Sequence, residues 1–206
     1  KAAESLGVEI FGGHTEITQA VSKPVIVSTA IGRARKGASQ RAEDMQEGDF
    51  ILLTKEAGLE GTGIIACDCP DRLEGVLTEE ELAEARAMLD RVDVVREGVI
   101  AGKIGTAGMH DVTEGGILGA VWEMCEITGL GAKVDVDAIP VSPITRKICD
   151  HFGIDYLRLI SSGCMMIMAH PQQKDKLMET ISAAGVPIAC IGRVTGPGTE
   201  RWMSKG

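Results

Sequence analysis

The sequence predicts an α/β or α+β fold, and three observations predict it. Helical and strand patterns alternate along the chain. Cys164–Ala169 (CMMIMA) is an unbroken apolar run, as a central strand requires. Hydrophobic residues make up 44% and charged residues 25%, the balance of an ordinary globular domain, while 3% aromatic content makes the core aliphatic.

The elements follow in order. The opening KAAESLGVEI reads as the last turns of a helix leading into a strand, so the chain is expected to start inside a domain. Val25–Ile31 (VIVSTAI) is β-branched and short and is expected to be a buried or interface strand. A charged, glycine-bearing loop from Arg33 to Gly48 is expected to hold a domain boundary, with residues 1–40 the tail of one domain and 41–206 another. Phe50–Thr54 is the first strand of the second domain. Gly61–Cys67 starts a helix with glycines at its mouth. Thr78 and Glu81 make a capping box before ELAEARAML. A further helical run covers Asp90–Ala101. Gly115–Thr128 carries apolar residues at helical spacing, with Gly129 as its C-cap. Ala132–Val136 alternates as a strand. Ser142-Pro143 supplies an N-cap and first-turn proline, and Gly153 the stop. Lys174–Ala184 is expected to be a helix and Ile188–Val194 a strand, and Thr195-Gly-Pro-Gly-Thr a closing turn. There is no internal repeat and no low-complexity segment.

Composition also excludes classes. A net charge of −9 opposes a nucleic-acid partner, and scarce aromatics oppose base stacking. No segment reaches the roughly 18 uninterrupted apolar residues of a membrane helix, and no signal peptide is recognisable. A cytoplasmic protein is expected, and the six cysteines read as thiols rather than a disulfide framework. Cys67-x-Cys69 is too tight for the usual zinc half-site. Cys125, Cys149, Cys164 and Cys190 lie in apolar runs and read as small buried hydrophobes.

Chemistry concentrates in two double-glycine segments. Met109–Gly116 reads MHDVTEGG and opens a helix. Glycines at a helix start leave backbone N–H groups at the positive end of the dipole, which favours an anion such as phosphate. Asp111 could hold Mg²⁺ against that phosphate. The alternative is an acidic, glycine-rich cap with no ligand. Phe11–Thr18 reads FGGHTEIT. Gly12 and Gly13 would let a phosphate approach the backbone, or would simply form a tight turn. Gly58, Glu60, Gly61 and Thr62 form a further glycine-flanked helix start, equally open to a packing role.

Taken together, GGHTEIT, EGDFILLTKEAGLEGTGIIA (47–66) and MHDVTEGGILGAVWEM (109–124) resemble the aminoimidazole ribonucleotide synthetase-related, or PurM-like, superfamily. Within it the ordered set is most similar to the hydrogenase maturation factor HypE branch. DAIPVSPITRKICDHFGID (137–155) and SSGCMMIMAHPQ (161–172) extend the resemblance over nearly the whole chain. It implies a C-terminal domain with a mixed β-sheet and flanking helices, after the tail of an N-terminal α/β domain that binds ATP and dimerises. It also implies an ATP- and Mg²⁺-dependent enzyme, ligase- or dehydratase-like, that phosphorylates an amide- or carbamoyl-like oxygen. The substrate would be a small molecule or a carbamoyl-carrying group. A homodimer and a maturation partner protein are expected of the intact protein, and inactivity of this piece alone.

The resemblance places Asp111 beside the metal and γ-phosphate, with His110 donating to a phosphoryl oxygen or positioning a substrate. Gly12, Gly13, His14, Thr15, Thr113, Gly115 and Gly116 would line the nucleotide. Where relatives carry Asp this chain has His14, a poor Mg²⁺ ligand. Either His14 bonds phosphate, or Glu16 supplies the missing carboxylate, or the segment is structural. Glu114 stands where relatives are often basic. Ser161, Ser162 and Gly163 would border the cleft behind these residues. The branch's C-terminal cysteine tail has no counterpart after Cys190. A truncated tail or a paralogue without that chemistry both account for this, and the departures at His14 and Glu114 favour the paralogue. A nucleotide-binding or dimeric scaffold without turnover is the alternative function.

Overall fold

The computed structural model describes residues 2–33, 40–197 and 202–204, and the chain divides into two units, 1–38 and 39–206. The first unit holds one helical turn, α1 (Ala2–Ser5), which ends as Val8 N donates to Ala3 O. Beyond it the described chain to residue 33 carries no strand. The expected strand Val25–Ile31 is therefore not formed. A strand exists only through hydrogen bonds to a neighbour, and among the described residues none pairs with it. Its apolar side chains are exposed, Ile26 at 88% and Val27 at 87%. The strand expected after the opening helix is absent for the same reason.

The second unit is built around one sheet. Its strands are β1 (Phe50–Thr54), β2 (Gly108–Asp111), β3 (Leu130–Asp135), β4 (Met165–Ala169), β5 (Ile188–Pro197) and β6 (Trp202–Ser204), and they lie in the order β2-β4-β1-β5-β3-β6. Every pairing is antiparallel except the parallel one between β3 and β6, so the sheet is mixed. The helices are α2 (Leu59–Asp68), α3 (Glu79–Ala87), α4 (Val95–Ile104), α5 (Gly116–Thr128), α6 (Pro143–Phe152) and α7 (Pro171–Ala183). None of the described helices is long and apolar enough to cross a membrane.

Both sheet faces are covered, which explains the CMMIMA run. Met166 and Met168 of β4 join Ile51 and Leu53 of β1 under Ile117, Val121 and Met124 of α5. Met165, Ile167 and Ala169 turn the other way and join Leu52 beneath Leu177 and Ile181 of α7 and Ala101 of α4. Alternate residues of one strand thus feed two cores, so no polar position remains. Each fully buried Leu, Ile or Met contributes about 1.5–3 kcal/mol of hydrophobic free energy. A third cluster, with Leu59, Ala66, Ala85, Ile144 and Ile148, packs α2, α3 and α6 together.

The local signals act as the sequence indicates. Thr78 Oγ1 accepts from Glu81 N at 3.2 Å, and Thr78 N donates to Glu81 Oε2 at 3.1 Å. Ser142 Oγ accepts from Ile144 N and Thr145 N ahead of Pro143. Gly129 and Gly153 take the left-handed conformation that ends α5 and α6. Three boundaries differ from expectation. The run Asp90–Ala101 is broken: a 3₁₀ turn occupies Met88–Arg91, and α4 starts only at Val95, where Asp93 Oδ1 accepts from Val95 N. Helix α7 begins at Pro171, because proline suits the first helical position. Thr195–Pro197 are not a turn but the end of β5, held by pairing with β3, and the rest of that motif lies outside the described residues.

Candidate functional site

Strand β2 is the feature that places the MHD segment, and no strand signal in GMHD marks it. The four residues are an edge strand paired, among the described residues, only with β4, His110 facing Met166 and Asp111 facing Met165. Alternation along the strand separates their side chains. Met109 packs against the α4–α7 core, whereas His110 reaches α5. Asp111 ends the strand and is exposed. Buried Val112 then anchors the chain, its N–H donating to Cys164 O at 2.9 Å.

His110 is fixed at both ring nitrogens. Nδ1 lies 2.5 Å from the Asp111 carbonyl and Nε2 lies 2.6 Å from Glu123 Oε2 on α5. The two contacts hold the His110 ring in place beside Asp111. Glu123 was invisible in the sequence, because the contact links a strand to the second turn of a later helix. The Asp111 carboxylate makes no hydrogen bond or ion pair among the described residues. It is a hard oxygen donor open to solvent, and its chemistry suits Mg²⁺.

From Asp111 the chain turns through Thr113 into α5. Gly116 N donates to Thr113 O at 3.1 Å, and Gly115 and Gly116 both have positive φ, 81° and 62°. The start of this helix is not an empty anion cradle. Leu118 N donates to Leu157 O at 3.2 Å. A Cβ on Gly116 would lie 2.6 Å from Leu157 O and 2.7 Å from Leu159 O. The second glycine thus admits the backbone of residues 157–159, so this close approach is already made by the chain itself.

The other glycine-flanked start behaves in the same way. Gly58 N donates to Ser161 Oγ at 2.7 Å, and Gly61 N donates to Ile160 O at 3.0 Å. A Cβ on Gly61 would fall 2.5 Å from Leu159 Cγ. One loop, residues 157–163, therefore abuts the starts of both α2 and α5. Ser161, expected to border the cleft, is fully buried and serves this junction. The sequence held no sign that two segments about 55 positions apart share one neighbour.

Beside the α5 start lies a cleft of about 320 Å³ lined by Gly115, Leu118, Gly119, Trp122 and Arg158. Arg158 brings a basic, largely exposed side chain to its mouth, 3.7 Å from Asp155. Glu114, one residue before the glycines, is exposed. Gly12, Gly13, His14, Thr15 and Glu16 belong to the first unit and are exposed; His14 Nε2 lies 3.9 Å from Glu16 Oε2, and neither glycine is crowded. Burial is the main cause that raises the thiol pKa of Cys164 to about 12 and of Cys149 to about 11, so neither is a nucleophile near neutral pH. Cys125 is buried too, Cys190 is half-buried and Cys67 is exposed.

Residues 46–203 match the family described as AIR synthase related protein, C-terminal domain. The carbamoyl dehydratase HypE of Rhizobium leguminosarum bv. viciae is 27% identical over 197 residues, 94% of this chain and 54% of that protein. The crystal structure of E. coli HypE superposes with a TM-score of 0.65 at 22% identity, covering 77% of this chain and 47% of that one. A HypE crystal structure in complex with ATP gives a TM-score of 0.56 at 18% identity, covering 76% and 45%. These structures share the fold of this chain, which spans about half the length of the curated relatives it matches.

Proposed function

The chain belongs to the AIR synthase related family through that family's C-terminal domain, and on that premise we propose that it serves an ATP-dependent enzyme of hydrogenase metallocentre maturation. In this reading residues 41–206 are the C-terminal domain, and residues 1–40 are the tail of an ATP-binding, dimer-forming domain. The reaction is phosphorylation of an amide- or carbamoyl-like oxygen, on a small molecule or a carbamoyl-carrying group, with a maturation protein as partner. The names of the relatives and the ATP complex of a protein of this fold support it. The observation that carries it is Asp111, a solvent-open carboxylate at the end of β2 inside the matched segment.

Asp111 is the residue of this unit assigned to Mg²⁺, which when bound would neutralise phosphate charge. Among the described residues no three His, Cys, Asp or Glu side chains gather as a metal site. Phosphate oxygens and water would therefore complete the shell, the usual habit of Mg²⁺. His110, held by Glu123, fixes the strand end that carries Asp111. Thr113 and Gly115 line the nucleotide in this reading, Gly116 being already packed against the backbone of residues 157–159. Electrostatic positioning of this kind is the main source of phosphoryl-transfer catalysis.

The test is ATP binding and Mg²⁺-dependent ADP release by the intact gene product, beside Asp111→Ala. Loss of turnover by about 100-fold or more in a variant that still folds is the expected result. Equal turnover in the two proteins would overturn the assignment of Asp111. A second reading is a nucleotide-binding or dimeric scaffold without turnover. It is favoured by the α5 start, where Gly116 and Leu118 amides are already bonded to the chain's own carbonyls. Nucleotide binding with no ADP release by either protein would select it.

A further inference from the structure

Lys55 is the one non-glycine residue with positive φ among the described residues, at 55°. That conformation is unfavourable for an L-residue, so the surroundings must hold it there. What they hold is the ammonium. Nζ donates to Asp93 O at 2.5 Å and Gly163 O at 2.9 Å, and pairs with Glu97 Oε1 at 2.8 Å. An ammonium has three donors, and all three are used. The Glu97 side chain is 1% exposed and that of Lys55 11%. Thr54 Oγ1 gives Glu97 a second, longer bond at 3.3 Å and itself accepts from Met165 N. Without Lys55 a buried carboxylate would be left with one hydroxyl.

The three acceptors lie on two separate parts of the fold. Glu97 is in the first turn of α4, Asp93 precedes that helix, and Gly163 ends the loop that abuts α2 and α5. Gly163 is itself wedged, since a Cβ there would lie 2.8 Å from Arg91 O and 2.8 Å from Val92 Cα. The Lys55 backbone is fixed as well, N donating to Pro187 O at 2.8 Å. We propose that Lys55 is a positioning residue: its ammonium fixes the 157–163 loop and, through that loop, the geometry of both glycine-rich helix starts. The inference needs no nucleotide and stands or falls apart from the function proposed above.

Amide hydrogen exchange on the 206-residue chain tests it, comparing the wild type with Lys55→Met and Lys55→Gly. Glycine relaxes the backbone at this φ while removing the ammonium, so it separates strain from the latch and keeps the fold testable if methionine does not. The Gly58, Gly61 and Leu118 amides donate into residues 157–161. In Lys55→Gly they are expected to exchange about tenfold faster or more, while Leu53 and Ile167 in the central strands stay within about threefold. Wild-type rates at the three reporters would overturn the proposal. So would equal acceleration across the whole sheet, which describes an ordinary stabilising ion pair.

Discussion

His110 shows how a residue's chemistry is set by what it touches. The sequence offers an imidazole beside a carboxylate; the fold spends both ring nitrogens, on the Asp111 carbonyl and on Glu123. The cysteines show the same at the level of titration. Burial raises Cys164 to about 12 and Cys149 to about 11 from an ordinary 9.0. A folded-state value above the unfolded one means that the unfolded chain loses its thiol proton first. The contribution of these thiols to stability is therefore complete below pH 9 and declines as pH rises toward 11 and 12. At pH 8 exposed Cys67 is expected to react with a thiol reagent at least about 100-fold faster than Cys164, with the difference lost in denaturant. Mass-resolved labelling of the native and urea-unfolded chain measures this, and equal native rates would contradict the burial argument.

At the scale of elements, the two glycine-rich helix starts were legible as starts but not as to what occupies them. Glycine at a helix N-terminus has the same sequence signature whether it admits a phosphate or another backbone. Here the backbone of Leu157–Leu159 approaches, and the consequence is measurable. Gly116→Ala combines a φ of 62° with Cβ contacts of 2.6–2.8 Å to backbone atoms that cannot swing away. It is expected to destabilise the chain by about 2–4 kcal/mol. Gly129→Ala carries a similar φ of 69° with open space around it and is expected to cost only about 1 kcal/mol. Urea unfolding of the two variants compares them, and equal losses would show that conformation alone, without the 157–159 contact, sets the need for glycine. The capping box at Thr78 and the Ser142-Pro143 start were readable outright, because both bonds of the box and the serine bonds span three residues or fewer.

For the molecule as a whole, the three apolar clusters are drawn from residues 42–194, while the large apolar side chains of the first unit are 46–98% exposed. A chain beginning at Ser39 holds every residue of those clusters and is expected to unfold in one cooperative transition. A calorimetric scan of that chain with no cooperative transition would contradict this. The same contrast separates what the sequence determined alone from what it could not. Helix caps and the strands β1, β3, β4 and β5 follow from contacts among near neighbours and from the pattern of apolar residues, so they were readable. The family resemblance was readable too, because it rests on ordered motifs rather than geometry. Strand β2, the Glu123 bond to His110, the shared 157–163 loop and the Lys55–Glu97 pair were decided only by the tertiary structure. Each joins residues 13 or more apart, and nothing in local spacing encodes which distant acceptor a donor will meet once the sheet has closed.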